Sequence, residues 1–303
     1  MVGARTTLYA FRSAAVGVPD GEGHPDPHQP PGQGVADGSG AYPVLVHLHG
    51  ARNSPTTWPA AEVEQVVGDT PVIVVQPDGG PAGFYADWYG TPVTGFDVLN
   101  GRVPFPPPAW ETFHIQEMLP WVDATFRTTG HRSIAGSSMG GAGSMSYPAR
   151  NPGVFDAAAS LSGAVDNDAL FPVTPLVVEV GLDPCVLGSR LLQGANWEAH
   201  NPTRLAAGLR SVSLYVTAGD GLPGVHDDAV TGLRDGAVEV LIRHMNDDLV
   251  AALDRAGVPV TTAFHRGTHP SPDGPNRAYD YDALRAFLPQ AMAAMGSAEQ
   301  ERT

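Results

Sequence analysis

Apolar runs rich in β-branched residues alternate with amphipathic segments along most of the chain, from Tyr42 onward. Such alternation is typical of a mostly parallel sheet covered by helices, the α/β class. An opening strand is predicted within Thr7–Val16. The buried strands predicted after it are Pro43–His49, Pro71–Gln76, Arg132–Ala135, Phe155–Leu161, Ser211–Thr217 and Val258–Phe264.

The helices are predicted from apolar residues that recur at helical spacing. The clearest covers Ala237–Ala256, and two others are predicted over Glu111–Phe126 and Asp280–Ala294. An apolar stripe of this kind indicates packing against the sheet. In the first of these helices the stripe consists of Val238, Leu241, Ile242, Met245, Leu249 and Leu253.

No internal repeat or long linker divides the 303 residues, so a single domain over 1–303 is predicted. Residues 20–41 are dense in glycine and proline, which predicts a mobile surface loop. The segment 166–200 lies between two predicted strands, and we expect it to form a cap-like insertion.

Composition narrows the classes of function. Hydrophobic residues make up 42% of the chain, enough for a large core, and no run is long enough to span a membrane. The formal net charge of −15 disfavours nucleic acid as a partner. All 17 cationic side chains are arginines, which excludes a lysine Schiff base and a phosphate-binding Gly-Lys motif. Cys185 is the single cysteine, so cysteine-based zinc and iron–sulfur sites are excluded, and no cofactor is expected.

The first residues, 1–7, lack the long apolar core of a secretory signal. The chain as it stands is therefore predicted to be cytoplasmic. A secreted protein whose signal had been removed would have the same sequence, so that alternative stays open.

The most informative motif is Gly136-Ser-Ser138-Met-Gly140, which follows a β-like run and precedes small residues suited to a helix start. In a G-x-S-x-G motif the serine lies on a sharp turn from strand to helix, with its hydroxyl exposed. Ser138 is the predicted nucleophile. The backbone N–H of Met139 would then lie at a helix N-terminus, where it can donate to an oxyanion.

A serine nucleophile needs a general base and an acid that orients it. His269 follows a predicted strand in a Gly-Thr-His-Pro turn and is the predicted base. Two residues are candidates for the acid. Asp220 follows the strand that commonly carries it, whereas Glu239 lies in the first turn of the long amphipathic helix. Position alone slightly favours Asp220.

The run Pro43–His49 opens into Gly50-Ala51-Arg52, a position that supplies a second oxyanion donor in serine hydrolases. The predicted donor is the N–H of Ala51. A rival interpretation uses His47 and His49, which project from one strand face and could bind a metal for a metal-dependent hydrolase. No further ligand follows at close spacing, so no metal site is predicted.

Several segments between Tyr42 and Leu288 resemble the antigen 85 mycolyltransferases and the serine esterases related to them. The resemblance implies an α/β-hydrolase fold, a covalent acyl-enzyme and a glutamate as the acid on a helix that matches the segment at Glu239. Glu239 is therefore preferred, with Asp220 as runner-up. The segments that carry the resemblance are Gly50–Arg52, Gly83–Tyr89, Trp110–Phe113, the turn at Ser138, Leu161–Gly163, Asn201-Pro202 and Gly267–His269.

Two departures from that family concern the acceptor site. His49 stands where the mycolyltransferases have an acidic residue. The tryptophan expected shortly after the catalytic histidine is missing, and Pro270 and Ser271 stand there instead. These departures argue against transfer to the sugar acceptor of that family, whereas Arg52 is retained. Arg52 and His49 are the predicted substrate-binding residues.

The predicted activity is that of a serine esterase or acyltransferase acting on a small-molecule acyl ester, with water, an alcohol or a sugar as the acceptor. A non-catalytic binding protein on the same fold is the alternative from another class.

Overall fold

The computed structural model describes residues 6–10, 40–90, 107–170 and 186–301. Their strands form one seven-stranded sheet in the order β1-β3-β2-β4-β5-β6-β7. β1 is antiparallel to β3, and the remaining pairs are parallel. The strands are Thr6–Ala10 (β1), Tyr42–Leu48 (β2), Ile73–Pro77 (β3), Thr128–Ser137 (β4), Ala157–Leu161 (β5), Ser213–Thr217 (β6) and Val260–Thr262 (β7).

Helices cover both faces of this sheet. Their bounds are Ala60–Val67 (α1), Trp110–Thr112 (α2), Leu119–Thr125 (α3), Met139–Arg150 (α4), Asn167–Leu170 (α5), Gly194–Ala199 (α6), Ala229–Arg234 (α7), Gly236–Ala256 (α8) and Ala278–Glu301 (α9). A π-helical segment, Phe113–Met118, joins α2 to α3. Short 3-10 turns occupy Ala206–Leu209 and Pro275–Arg277.

The core has two main apolar layers, one on each face of the sheet. Residues of α3, α4 and α8 pack on one face, and residues of α1 and α9 pack on the other. The central strands are buried on both sides, which explains why they read as continuous apolar runs rather than as alternating ones. The predicted mostly parallel sheet flanked by helices is confirmed.

The predicted strands all lie at observed strands, with shifted ends. The run Arg132–Ala135 extends at both ends to the ten residues of β4, because Thr128 and Gly136 also pair with β2 and Ser137 pairs with β5. The last predicted strand shortens to the three residues of β7, which pairs with β6 along one edge. The helix predicted over Asp280–Ala294 extends at both ends to the bounds of α9.

The predicted apolar stripe of the long helix needs one correction. Val238 is 40% exposed, whereas the neighbouring Glu239 is fully buried. The acidic residue in the first turn of α8 therefore points inward, where polar groups at the sheet edge donate hydrogen bonds to it. Farther along the helix, Ile242, Met245 and Leu249 are buried as predicted.

Two of the predicted segments lie partly outside the described residues. The loop predicted over 20–41 overlaps them only at its last two positions. Of the insertion over 166–200, the described parts include a small apolar cluster in which Val186, Leu187 and Trp197 pack with Ala86. The single-domain organisation stays a prediction.

The start of α4 packs so tightly on the sheet that only glycine fits. A Cβ on Gly136 would lie 2.3 Å from the carbonyl oxygen of Gly140, and a Cβ on Gly140 would lie 2.3 Å from the carbonyl oxygen of Leu48. Both obstacles are backbone atoms, which cannot rotate away as a side chain can. The two glycines of the G-x-S-x-G motif therefore set how closely α4 approaches β2.

This close packing predicts a large effect of one methyl group. Gly140→Ala should destabilise the fold by about 2–3 kcal/mol, since the backbone must shift to admit the Cβ. Gly296→Ala is the matched control, because nothing lies within 4 Å of a Cβ there, and it should be neutral or stabilising by about 0.5–1 kcal/mol through helix propensity. Urea unfolding of both variants measures the difference. Equal stability of the two would contradict the packing argument.

Candidate active site

The candidate site lies at the carboxyl ends of the parallel strands, where the chain reverses its winding between β2 and β4. Open α/β sheets bind ligands at this position because the loops on either side diverge and leave a crevice. Ser138 follows β4 directly, and Gly50 follows β2. The two loops touch, since a Cβ on Gly50 would lie 3.4 Å from the Cβ of Ser138.

Ser138 has a strained backbone, with φ 54° and ψ −114°. A non-glycine residue in this region costs about 1–3 kcal/mol and persists only where its surroundings hold it. Here the N–H of Ser138 donates to the carbonyl of Leu161 at 3.0 Å, and its own carbonyl accepts from the N–H of Ala164 at 3.0 Å. The turn leaves Ser138 half-buried, whereas Ser137 is buried.

Backbone strain is concentrated around this turn. Among the described non-glycine residues, positive φ angles occur at Arg52, Phe84, Tyr85, Ser138 and Ser162. These residues belong to loops that meet at or near the nucleophile turn. Met139, the residue after Ser138, also contacts one of them, because its sulfur accepts a hydrogen bond from the N–H of Phe84 at 3.3 Å.

Glu239 and His269 are brought together by the fold. The Nδ1 of His269 lies 2.7 Å from Oε2 of Glu239, and the Glu239 side chain is fully buried. A carboxylate can only accept, so Nδ1 carries the proton and Nε2 of the neutral ring is left as an acceptor. This arrangement suits a general base that is oriented by an acid.

The other oxygen of Glu239 is also held. Oε1 accepts hydrogen bonds from the hydroxyl of Ser162 at 2.7 Å and from the N–H of Gly219 at 2.5 Å. Because the carboxylate is buried, these donors are needed to replace the water it has lost. Ser162 lies in the same loop, 161–164, that holds the backbone of Ser138. The acid and the nucleophile turn are therefore fixed by one short segment.

The pKa of His269 reflects two opposing effects. Burial alone would lower it, because the charged imidazolium loses hydration. The hydrogen bond and the negative charge of Glu239, with smaller contributions from the charges of Asp280 and Asp235, together outweigh burial, so the pKa of His269 is raised above its ordinary value. The imidazole is thus prepared to accept a proton.

Asp220, the other candidate for the acid, does not occupy this position. Its Oδ1 accepts from the N–H of Leu222 at 2.9 Å and from the N–H of Gly267 at 3.3 Å. Asp220 therefore supports the backbone of the histidine loop, while Glu239 contacts the imidazole. Position along the chain favoured Asp220 because a sequence does not show which side chains meet across the fold. In the structure, the first turn of α8 brings Glu239 to the loop after β7.

The loop that carries His269 is held by residues that the sequence did not single out. Asp227 accepts from the hydroxyl of Thr268 and, at 2.8 Å, from the hydroxyl of Tyr279. Asn276 donates to the carbonyl of His269 at 2.7 Å. The two contacts of Asp227 join residues 41 and 52 positions apart, so local sequence patterns contain no signal for Asp227.

His49 lies beneath the Gly50 loop and is engaged on both sides. Its Nδ1 donates to the carbonyl of Gly50 at 2.8 Å, and its Nε2 accepts from the N–H of Gly79 at 3.1 Å. With both ring nitrogens bonded to backbone, His49 is placed to shape the loop. Ala51 and the exposed Arg52 follow in that loop, and the N–H of Arg52 donates to the carbonyl of Pro81 at 2.7 Å.

The geometry argues against a shared metal between His47 and His49. The ring of His47 packs against Trp58 with centroids 4.1 Å apart, and its Nδ1 lies 3.2 Å from the amide of Gln76. Burial, aided by the neighbouring His49, lowers the pKa of His47 to about 3. Within the described ranges, no cluster of three His, Cys, Asp or Glu residues could hold a metal ion.

The fold is of the α/β-hydrolase type. A protein-family model named Esterase matches residues 27–245, and the chain belongs to that esterase family. The family resemblance inferred from the sequence is confirmed. No helix in the described part of the chain is long and apolar enough to cross a membrane.

Three relatives illustrate the similarity. Esterase Rv1288 of Mycobacterium tuberculosis is 32% identical over 229 residues, which are 71% of this chain and 46% of that protein. This chain thus spans about half the length of that relative. The diacylglycerol acyltransferase/mycolyltransferase Ag85B of Mycolicibacterium smegmatis is 28% identical over 75% of this chain and 69% of its own. The structure of M. tuberculosis MPT51 (FbpC1) superposes with a TM-score of 0.60 at 22% identity, covering 84% and 91% of the two chains.

The Glu239–His269 contact leads to a prediction that needs no substrate. Glu239→Gln should lower the pKa of His269, because the opposing charge is removed while burial remains. Asp220→Asn, which removes a nearby carboxylate that does not touch the imidazole, should leave the pKa of His269 unchanged. Imidazole titration by NMR measures both. A larger effect of the Asp220 variant would contradict the assignment of the acid.

Proposed function

We propose that the protein is a serine esterase or acyltransferase in which Ser138, His269 and Glu239 form a catalytic triad. The observation that carries the proposal is the hydrogen bond between His269 and the buried Glu239 carboxylate, on the same sheet edge as Ser138. A buried carboxylate that is hydrogen-bonded to a histidine, on the same sheet edge as a serine in a strained turn, is the arrangement that serine hydrolases use.

In the first half of the reaction, Oγ of Ser138 attacks the carbonyl carbon of the ester while Nε2 of His269 takes the hydroxyl proton. The resulting imidazolium is stabilised by Glu239. Collapse of the tetrahedral intermediate breaks the bond to the alcohol, which receives the proton from His269. The acyl group then remains on Ser138 as an ester.

The oxyanion of the tetrahedral intermediate needs preorganised donors. We assign this role to the backbone N–H groups of Met139, the first residue of α4, and Ala51, in the loop that contacts Ser138. Each such donor typically contributes about 3–4 kcal/mol to transition-state stabilisation. His49 would act indirectly, by holding the Gly50 carbonyl and hence the direction of the Ala51 N–H. Arg52 is the proposed contact for a polar acceptor.

In the second half, His269 activates water or an alcohol, which attacks the acyl-enzyme. Water gives hydrolysis, and an alcohol or a sugar gives acyl transfer. The acyltransferase Ag85B among the relatives makes transfer a specific candidate. A test is to supply p-nitrophenyl esters of increasing chain length with and without glycerol or trehalose. Transfer products exceeding free acid would identify a transferase, and free acid alone would identify an esterase.

The nucleophile assignment predicts where a fluorophosphonate probe reacts. The wild-type protein should be labelled on Ser138, and Ser138→Ala should abolish labelling and lower ester turnover by at least about a thousandfold. Ser54→Ala, which removes an exposed hydroxyl near the Gly50 loop, should label like the wild type. Mass spectrometry of the labelled peptide identifies the residue. Labelling that persists in Ser138→Ala would refute the assignment.

The same experiment separates the alternatives. No labelling and no turnover in the folded wild-type protein would favour a binding protein without catalytic activity. Turnover that a chelator removes, together with an unaffected Ser138→Ala variant, would favour the metal-dependent alternative.

The acid assignment predicts the size of two further effects. Glu239→Gln should lower kcat by on the order of 10³- to 10⁴-fold, because an amide cannot stabilise the imidazolium and disturbs the tautomer. Asp220→Asn keeps an acceptor oxygen for the two backbone N–H groups and removes only the charge, so it should cost about fivefold or less. The comparison is made by steady-state kinetics on variants whose melting temperatures match that of the wild type. A reversed order would assign the acid to Asp220.

A further inference from the structure

Two consecutive strained residues follow β3 and have no part in the chemistry above. Phe84 and Tyr85 both have positive φ angles, 51° and 55°. Such angles are uncommon outside glycine, and they persist only where surrounding contacts hold the backbone. Because strain of this kind collects at functional sites, the contacts of the pair indicate what it could do.

The side chain of Tyr85 reaches the end of β2, where the loop of Ala51 begins. Its hydroxyl donates to the carbonyl of His49 at 2.9 Å, and the tyrosine is 1% exposed. Burial raises the pKa of the Tyr85 phenol well above its ordinary value, and the charge of Asp78 acts in the same direction. The phenol therefore stays protonated near neutral pH and remains a hydrogen-bond donor.

The carbonyl that Tyr85 holds belongs to the peptide unit before Gly50. The carbonyl of Gly50 itself shares a planar peptide unit with the N–H of Ala51. That second carbonyl accepts from Nδ1 of His49 at 2.8 Å and from the N–H of Asn53 at 3.2 Å. Glycine places few limits on its backbone dihedrals, so the peptide units on both sides of Gly50 need partners to keep one orientation. Tyr85 supplies the partner on one side.

Tyr85 is itself anchored on α4. A Cβ on Gly143 of that helix would lie 2.9 Å from the Cβ of Tyr85, and a Cβ on Gly79 would lie 2.3 Å from Cε1 of its ring. The tyrosine therefore fills the space that these glycines leave. Phe84 adds a second tie, because its N–H donates to the sulfur of Met139 at 3.3 Å. Met139 is the first residue of α4 and the other proposed oxyanion donor.

We propose that Tyr85 is a positioning residue for the oxyanion site: anchored on α4, it holds the His49 carbonyl with its hydroxyl and so fixes the Ala51 N–H relative to the Met139 N–H. Tyr85 acts through the backbone and is not itself a donor to the oxyanion. The proposal rests on the proposed function of Ser138 and of the two N–H donors. It gives a reason for the strain at Phe84 and Tyr85.

Tyr85→Phe tests this role, because it removes the hydroxyl and leaves the ring in place. We expect kcat to fall about ten- to fiftyfold and KM to change by less than about twofold, since the ester oxygen becomes negative only in the transition state. Tyr147→Phe is the matched control. Its hydroxyl is equally buried but is hydrogen-bonded to Nδ1 of His114, at 2.8 Å, instead of to the Gly50 loop. Its kcat should stay within about threefold of the wild-type value.

A second measurement separates positioning from a general loss of structure. The kinetics are normalised to active protein by the amount of fluorophosphonate that each variant takes up. A trifluoromethyl ketone then probes the oxyanion site: Oγ of Ser138 adds to its carbonyl carbon, the hydroxyl proton passes to His269, and the carbonyl oxygen becomes the oxyanion. The inhibition constant for Tyr85→Phe should rise by the factor by which kcat/KM falls. That for Tyr147→Phe should stay near the wild-type value.

Unchanged kcat and ketone inhibition in folded Tyr85→Phe, or equal losses in the two tyrosine variants, would overturn the proposal. If Tyr85→Phe does not fold, Met139→Leu supplies the test, because it removes the sulfur that anchors Phe84 and keeps the size of the side chain. It should weaken kcat and ketone inhibition together by about threefold or more. Unchanged values of both would overturn the proposal.

The outcomes also separate this proposal from the proposed function. A folded wild-type protein that neither reacts with the fluorophosphonate nor turns over esters would refute the role of Ser138 and, with it, the role of Tyr85. A wild-type protein that is labelled on Ser138 and turns over esters, together with an unaffected Tyr85→Phe variant, would refute the role of Tyr85 alone.

Discussion

The buried carboxylate of Glu239 is the constraint on which the candidate site depends. It is fully buried, and the loop after β5, the segment after β6 and the imidazole of His269 each supply a donor to it. Any displacement of these segments would leave a buried negative charge without its partners, which is strongly destabilising. The charge therefore holds the sheet edge in one arrangement, and the same arrangement orients a histidine for proton transfer.

Close packing on the other side of Ser138 also holds the site in one arrangement, through van der Waals contact instead of charge. Gly140 allows α4 to lie directly on the backbone of β2, and this fixes where Ser138 turns out of the sheet. The positive φ angle of Ser138 is maintained by hydrogen bonds to the loop after β5. Strain and close packing thus combine to present one hydroxyl group at the point where the sheet changes its winding.

The sequence by itself determined the α/β fold, the order of strands and helices, and the serine turn, because hydrophobic periodicity and the G-x-S-x-G glycines act over short distances along the chain. It did not determine strand ends, which depend on pairing partners, as the extension of β4 shows. Position along the chain favoured Asp220 and the family resemblance favoured Glu239, but only the tertiary structure shows which of the two contacts His269. That contact joins residues 30 positions apart, and its geometry follows from how helices pack on the sheet, which no local pattern encodes.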